Sequence, residues 1–198
     1  SGTLVNAIMY HCKDSLSGIN GEMRPGIVHR IDMDTTGSLI VCKNDEAHVF
    51  LSNQLLDHSM HREYIALVEG VIPHTDIKID APLGKDPKDR LKRCVDIYEG
   101  KEAVTHVHVL ERFKHNTLVE CKLETGRTHQ IRVHLQYIGN PCVGDKVYGK
   151  RKQVYTQLGQ MLSAVKLSFI HPTTFERMTF TCDIDEEFKR VLDLIKTL

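Results

Sequence analysis

The chain reads as an α+β protein built on a mixed, mostly antiparallel central sheet with flanking helices. Three observations predict this. Segments with strand-like alternation outnumber those with helical spacing. Several of the strand segments are separated only by short turns, as antiparallel neighbours are. Strands and helices also fail to alternate as they do where a parallel sheet is wound from βαβ units.

Taken in order, residues 3–11 have helical spacing through Leu4, Ala7 and Ile8, and a Ser/Gly/Asn-rich loop runs on to Pro25-Gly26. Residues 37–43 predict a short apolar strand. Asn44 or Asp45 then caps a helix with Ala47, Phe50, Leu51 and Leu55 on one face. From 63 to 69 the chain alternates, with Tyr64, Ala66 and Val68 pointing one way and Ile65 and Leu67 the other. Residues 82–93 read as a polar, basic loop, and 103–110 with 118–123 as a hairpin around His115-Asn116. Thr128 opens a helix whose buried stripe is Ile131, Leu135 and Ile138; Gly139 closes it and Pro141 prevents its return. Residues 162–169 and 177–182 are late strands joined by a His-Pro-Thr-Thr turn. Residues 185–198 form a closing amphipathic helix through Phe188, Val191, Leu192 and Ile195. No repeat, low-complexity tract or linker divides the chain, so residues 1–198 are expected to form a single domain.

At 198 residues the chain is long enough to bury a substantial core. Lys plus Arg (26) equals Asp plus Glu (26), whereas a nucleic-acid binder usually carries a basic excess. Equal totals can still conceal a basic face. No apolar run approaches a membrane span and no signal peptide is visible, so a cytoplasmic protein without a membrane partner is expected. The cysteines, Cys12, Cys42, Cys94, Cys121, Cys142 and Cys182, are scattered without a Cys-x-x-Cys pair and read as reduced, mostly buried thiols. His106 and His108 alternate along one strand, yet no further ligands converge with them, so neither a metal nor a cofactor is expected.

Three stretches carry chemistry. His29-Arg30-Ile31-Asp32-Met33-Asp34-Thr35-Thr36-Gly37 sets an aspartate beside an arginine, on a polar turn just before an apolar run. A carboxylate at the lip of a strand is well placed to react, although alone such a residue is more often a turn-former. Arg62-Glu63-Tyr64-Ile65-Ala66-Leu67-Val68-Glu69-Gly70 places a tyrosine on a strand, alone an ordinary inward aromatic. Leu123-Glu124-Thr125-Gly126-Arg127-Thr128-His129-Gln130-Ile131-Arg132-Val133-His134 brings cations to a helix start, where the helix dipole opposes them, so a purely structural role is less natural.

In this order the three stretches resemble the motifs of the RluA-type pseudouridine synthases, which turn a uridine within RNA into its C-glycoside isomer. Softer matches join them: Gly100-Lys101-Glu102-Ala103-Val104-Thr105, Pro82-Leu83-Gly84-Lys85-Asp86, Gly139-Asn140-Pro141 through Gly149, and Leu167-Ser168-Phe169-Ile170-His171-Pro172. The likeness runs from the first helix to about Pro172. Ser38 departs from the family, which usually has an aliphatic residue there, and Ser163 stands where a histidine commonly precedes Ala164. The resemblance implies a pseudouridine synthase-like catalytic domain, here without the family's N-terminal Lys-Pro strand or an S4-type RNA-binding domain. It implies a catalytic Asp32, a Tyr64 against the target uracil, and an Arg127 that pairs with Asp32. It also implies that Arg30, with His29 beside it, fills the space left by a flipped base. Arg132, Lys85 and Arg90, with Lys146, Lys150, Arg151 and Lys152, are expected to contact RNA. The expected partner is RNA, large-subunit ribosomal RNA ahead of transfer RNA, bound by a monomer.

The reaction breaks the N1–C1′ bond of uridine, turns the base and rejoins it through C5. A carboxylate suits the first step by attacking C1′, by assisting loss of the base as a glycal, or by adding to C6. The sequence leaves these routes open. A phenol of ordinary pKa is a poor base at pH 7, so stacking ranks above proton transfer for Tyr64. Two other classes compete. A non-catalytic RNA-binding module would not need Asp32, Tyr64 and Arg127 together. A glycoside hydrolase would need a second placed carboxylate, for which Asp34 is the sequence-local candidate.

Overall fold

The computed structural model describes residues 3–12, 15–19, 21, 25–149 and 155–198; Lys150, Arg151 and Lys152, expected on the RNA face, lie outside the described residues. In chain order the elements are α1 (Leu4–Cys12), β1 (Thr36–Gly37), α2 (Asp45–Leu56), β2 (His61–Glu69), β3 (Asp76–Asp80), β4 (Leu83–Lys85), β5 (Arg93–Val95), β6 (Val104–Arg112), β7 (Asn116–Leu123), α3 (Gln130–Tyr137), β8 (Leu162–Ile170), β9 (Arg177–Thr181) and α4 (Glu186–Lys196). Seven strands make one sheet, ordered β1-β8-β2-β7-β6-β3 with β9 also on β8. All its pairings are antiparallel except that of β1 with β8. The expected mixed, mostly antiparallel sheet with flanking helices is therefore what forms. No described helix is long and apolar enough to cross a membrane.

The alternation of β2 works as read. Tyr64, Ala66 and Val68 pack with Val107, Val119 and Cys121 and with Ile131 and Leu135 of α3. Leu67, on the other face, packs with Phe188, Val191, Leu192 and Ile195 of α4. Successive strand residues face opposite sides, so a strand apolar on both faces takes the middle of a sheet with a helix over each face. Burying each such large apolar side chain contributes about 1.5–3 kcal/mol. The caps follow the sequence as well. Asn44 Oδ1 accepts from Ala47 N–H at 2.9 Å at the start of α2, and Asp185 Oδ1 from Phe188 N–H at 2.9 Å at the start of α4.

Three expectations need correction. Of residues 37–43, only Gly37 joins the sheet, beside Thr36. Ser38 N–H still donates to the Ala164 carbonyl of β8 at 2.9 Å, but beyond it the backbone bonds elsewhere: Ile40 N–H donates to His29 Nε2 at 3.0 Å, and Cys42 N–H to the Gly26 carbonyl at 2.7 Å. The apolar run is packed coil because side chain and loop satisfy its polar groups. Residues 82–93 are not all loop: they hold β4 and the turn of a small hairpin with β5, tied by Asp86 Oδ1 accepting from Lys88 and Asp89 N–H. Finally, α3 begins at Gln130 rather than Thr128. His129 takes a left-handed φ of 58°, and no N-cap side chain bonds the helix.

Two irregularities position the site. The β2–β8 register slips between Glu63, opposite Lys166, and Tyr64, opposite Ala164, which leaves Val165 as the extra residue of a bulge. Ala164 is also the partner of Gly37 across the β1–β8 pair. The backbones come so close there that a Cβ on Gly37 would stand 2.2 Å from the Ala164 carbonyl oxygen, and its φ of +113° suits only glycine. Ser163, a departure from the family pattern, has a partner in this pairing: it bonds the Thr36 hydroxyl at 3.1 Å.

Candidate active site

A cleft of about 360 Å3 opens between the 28–35 segment, β2 and the corner that leads from β7 into α3. Its walls include His29, Arg30, Asp32, Arg62, Tyr64, Arg127 and His129. The three motif stretches, far apart in sequence, thus meet in one place.

Asp32 is held by its own turn and by two later segments. Its carbonyl accepts from Thr35 N–H at 3.0 Å, and Asp34 takes a left-handed φ of 68°. Gln160, buried, donates through Nε2 to the Met33 carbonyl at 2.7 Å and to Thr35 Oγ1 at 2.9 Å. Lys146 Nζ reaches Asp34 Oδ2 at 3.5 Å.

The cation on Asp32 is Arg132. Its Nη1 donates to Asp32 Oδ2 at 3.2 Å, while Nε and Nη2 form a fork on Asp145 at 2.7 and 2.8 Å. Asp145 also accepts from Val147 and Tyr148 N–H at 2.8 and 2.9 Å, and the Tyr148 ring lies 5.0 Å from the guanidinium carbon. Burial alone would favour the neutral form of Arg132. The hydrogen bonds and charge of Asp145, then those of Asp32, outweigh burial and hold it above an ordinary guanidinium. Burial likewise pushes Asp145 up, and Arg132 with the two N–H groups brings its carboxyl below the usual carboxylate value. One guanidinium therefore bridges a fully buried carboxylate and one that faces the cleft.

The expected pairing of Arg127 with Asp32 is corrected by this geometry. Arg127 is exposed, and its Nε donates to the Glu102 carbonyl at 2.8 Å. It lies outside α3, whereas Arg132 sits within the helix and its side chain is buried between Asp32 and Asp145. The expectation that Arg132 contacts phosphate fails for the same reason: it is 4 % exposed and committed to two carboxylates. His29 is also turned inward. Its Nε2 accepts from Ile40 N–H, and burial, helped by Arg62, lowers its pKa to about 4, so it is neutral at physiological pH. Arg30 beside it is exposed on the cleft wall. Burial raises the Tyr64 phenol above its ordinary value, with Arg62 opposing and Asp32 adding.

The corner that carries Arg127 is fixed by Gln130. Its Oε1 accepts from Thr125 Oγ1 at 2.7 Å and Arg127 N–H at 2.9 Å, and its Nε2 donates to the Val104 carbonyl at 2.9 Å. Gly126, Arg127 and Thr128 line both the cleft and an adjoining groove that holds Lys85, Arg93, Lys101 and Glu99. Arg90 is exposed and lines neither. Cleft and groove together present six Lys or Arg against two carboxylates, Asp32 and Glu99. A formally neutral chain thus carries a basic face. Among the described residues no group of three or more His, Cys, Asp or Glu could hold a metal ion; His106 and His108 pair with Glu124 and Asp76.

Sequence reasoning missed Asp145, Gln160 and Arg62. Asp145 stood in a recognised stretch, but only the fold shows that it faces Arg132.

Comparison with known proteins identifies the family. The chain is 55 % identical over 196 residues to "Uncharacterized RNA pseudouridine synthase YlyB" of Bacillus subtilis, covering 99 % of this chain and 64 % of that protein. It is 44 % identical over 201 residues to "Ribosomal large subunit pseudouridine synthase D" of Zymomonas mobilis, covering 98 % of this chain and 63 % of that protein. The chain therefore spans less than two thirds of these relatives. A solved structure, "Human RNA Pseudouridylate Synthase Domain Containing 1", superposes with a TM-score of 0.74 at 26 % identity, over 91 % of this chain and 74 % of that one. The sequence profile of RNA pseudouridylate synthases matches residues 9–137, a span that holds Asp32, Tyr64 and Arg132 together, and the chain belongs to that family.

Proposed function

We propose that this domain isomerises uridine to pseudouridine within structured RNA, with Asp32 as the reacting carboxylate. One observation carries the reading: Asp32 faces a cleft opposite a buried tyrosine, and its carboxylate is aimed by an arginine that a second, fully buried carboxylate holds in place. The chemistry needs an ionised carboxylate in a fixed direction, and the Arg132 fork supplies both charge and direction. Tyr64, kept protonated by burial, serves as a platform for the base. Arg30, exposed beside Asp32, takes the space the base leaves, because a guanidinium both stacks and donates hydrogen bonds. Arg127 and Lys85 contact the backbone next to the flipped nucleotide from the basic groove.

Large-subunit ribosomal RNA is the proposed substrate. The name of the Zymomonas relative supports it, as does a site that must receive a base extruded from folded RNA. The six cysteines are free, which fits work in the reducing cytoplasm. A glycoside hydrolase would need a second carboxylate on the cleft; Asp34 does not line it and is reached by Lys146.

The test is product analysis. The chain, incubated with ribosomal RNA, is expected to yield pseudouridine and no free uracil. Asp32→Asn is expected to abolish the product while its melting temperature stays within a few degrees of the parent's. An Asp32→Asn variant that turns over near the parent rate would overturn the role of Asp32, and abasic RNA with free base would overturn the isomerase reading.

A further inference from the structure

Arg62 is a charged residue that the fold buries without a counterpart. It is 8 % exposed, on the central strand β2. Among the described residues its side chain forms no ion pair, and its buried Nε finds no acceptor. Gly126 stands against it: a Cβ there would lie 2.5 Å from Arg62 Nη1, so any other residue would press on the guanidinium. His29 repeats the pattern. Its Nε2 accepts from Ile40 N–H, so the proton of the neutral ring is on Nδ1, and this buried N–H also lacks an acceptor. Buried charges are normally paired, because desolvation is otherwise uncompensated. Both residues line the cleft; Nε and Nδ1 are themselves closed to solvent, and a buried guanidinium left without a counterpart there marks a place where an acceptor arrives with the ligand.

Position indicates which acceptor. Arg62 and Tyr64 lie two residues apart on β2 and so share a face. Both line the cleft with Asp32. A uracil that lies against Tyr64 with its C1′ at Asp32 offers two carbonyl oxygens, O2 and O4, as acceptors. We propose that Arg62 is a further catalytic residue: its guanidinium takes a carbonyl oxygen of the extruded uracil and holds the negative charge the base acquires during the reaction. This rests on the isomerase reading above.

The charge is unavoidable. In the displacement route an Asp32 oxygen bonds to C1′ as the N1–C1′ bond breaks, and the bonding pair leaves on N1, spread over O2 and O4. The base turns, and C5 bonds to C1′ as the carboxylate departs with its electron pair. The C5 proton is then lost and N1 gains one. If Asp32 instead adds to C6, the displaced ring pair spreads from C5 onto O4, again a carbonyl oxygen. Fixed donors aimed at such developing charge are an effective form of catalysis.

The experiment is single-turnover kinetics of the full chain and its Arg62→Gln and Arg62→Met variants. The substrates are one ribosomal-RNA fragment with uridine at the target and the same fragment with 5-fluorouridine, followed by loss of the N-glycoside. Fluorine stabilises the base anion, so it lessens the need for Arg62. On uridine both variants should react about 100-fold more slowly, with RNA affinity within about threefold of the parent's. On 5-fluorouridine the loss should shrink to about tenfold or less. Arg62→Met should also raise the melting temperature, because it removes an unmatched buried charge. Equal losses on the two bases, a loss confined to RNA affinity, or a lower melting temperature for Arg62→Met would overturn the proposal. Full-rate variants beside an active parent would overturn this inference alone. A parent that converts no uridine would overturn the isomerase reading and this inference with it.

Discussion

Asp145 governs the cleft without lining it. Its side chain is fully buried and accepts two hydrogen bonds from Arg132 and two from backbone N–H groups. Asp145→Asn removes the charge that holds the Arg132 fork. Breaking one side of a buried pair destabilises by about 3–5 kcal/mol, and a shifted urea midpoint should show it. At temperatures where the variant is folded, turnover should fall further than RNA affinity, because the aim of Asp32 is lost and the groove is not. His29 offers a pH test. Unfolded, it takes up a proton near pH 6.5; folded, only near pH 4. Between these values the unfolded chain binds more protons, so stability from this residue falls as pH falls, by about 1.4 kcal/mol per pH unit. His29→Gln keeps an acceptor for Ile40 N–H and should flatten melting temperature against pH in that window. A slope unchanged by the substitution would show that His29 does not titrate this way. At this scale the sequence pointed to Asp32 and Tyr64, which the fold brings to one cleft, because their residue types and motif spacing are visible. It misdirected on Arg127 and Arg132. Both lie in one stretch, and which one meets Asp32 depends on the left-handed turn at His129 and the start of α3 after it.

The elements were legible where one face is apolar. The α4 stripe of Phe188, Val191, Leu192 and Ile195 is buried as its spacing predicts, and β2 alternates as read. Legibility failed where backbone partners come from afar. Residues 39–42 are apolar enough for a strand, yet the His29 ring takes the Ile40 N–H and the Gly26 carbonyl that of Cys42. The β4–β5 hairpin is polar and short, and it is held from outside by Lys101 against Leu83 and by the Tyr148 hydroxyl, which accepts from Arg93 N–H at 2.8 Å. The two-residue strand β1 is the shortest of the sheet, and it follows directly on the turn that carries Asp32. Gly37→Ala adds a Cβ 2.2 Å from the Ala164 carbonyl oxygen at a φ of +113°. Strain of this kind destabilises by about 1–3 kcal/mol. Because β1 anchors the turn that holds Asp32, turnover of the still-folded variant should drop as well. Unchanged urea unfolding and turnover would show that β1 can yield without disturbing the site.

For the whole molecule, charge totals were silent and charge placement was not. The chain is formally neutral, yet the face formed by cleft and groove carries six cations to two carboxylates. Only the fold gathers Lys85 and Lys101 beside Arg127. If these lysines neutralise phosphates, Lys85→Ala and Lys101→Ala should each reduce the slope of log affinity against log salt by about one. Filter binding over a salt series measures this, and an unaltered slope would remove the residue from the RNA contact. On the proposed reading, the same fold sets when activity can begin. Arg132 meets Asp32 across 100 residues of sequence, and Gln160 clamps the Asp32 loop across 127. Contacts so distant form late, since the entropy of closing a long loop is lost before they return any stability. In a chain made from its N-terminal end, Asp32 exists long before the groups that aim it. On the proposed reading, a half-made chain carries Asp32 with no direction, and activity is expected to begin only when β8 closes against β1. Recovered turnover is thus a reporter of completed topology, later than any signal from helix content.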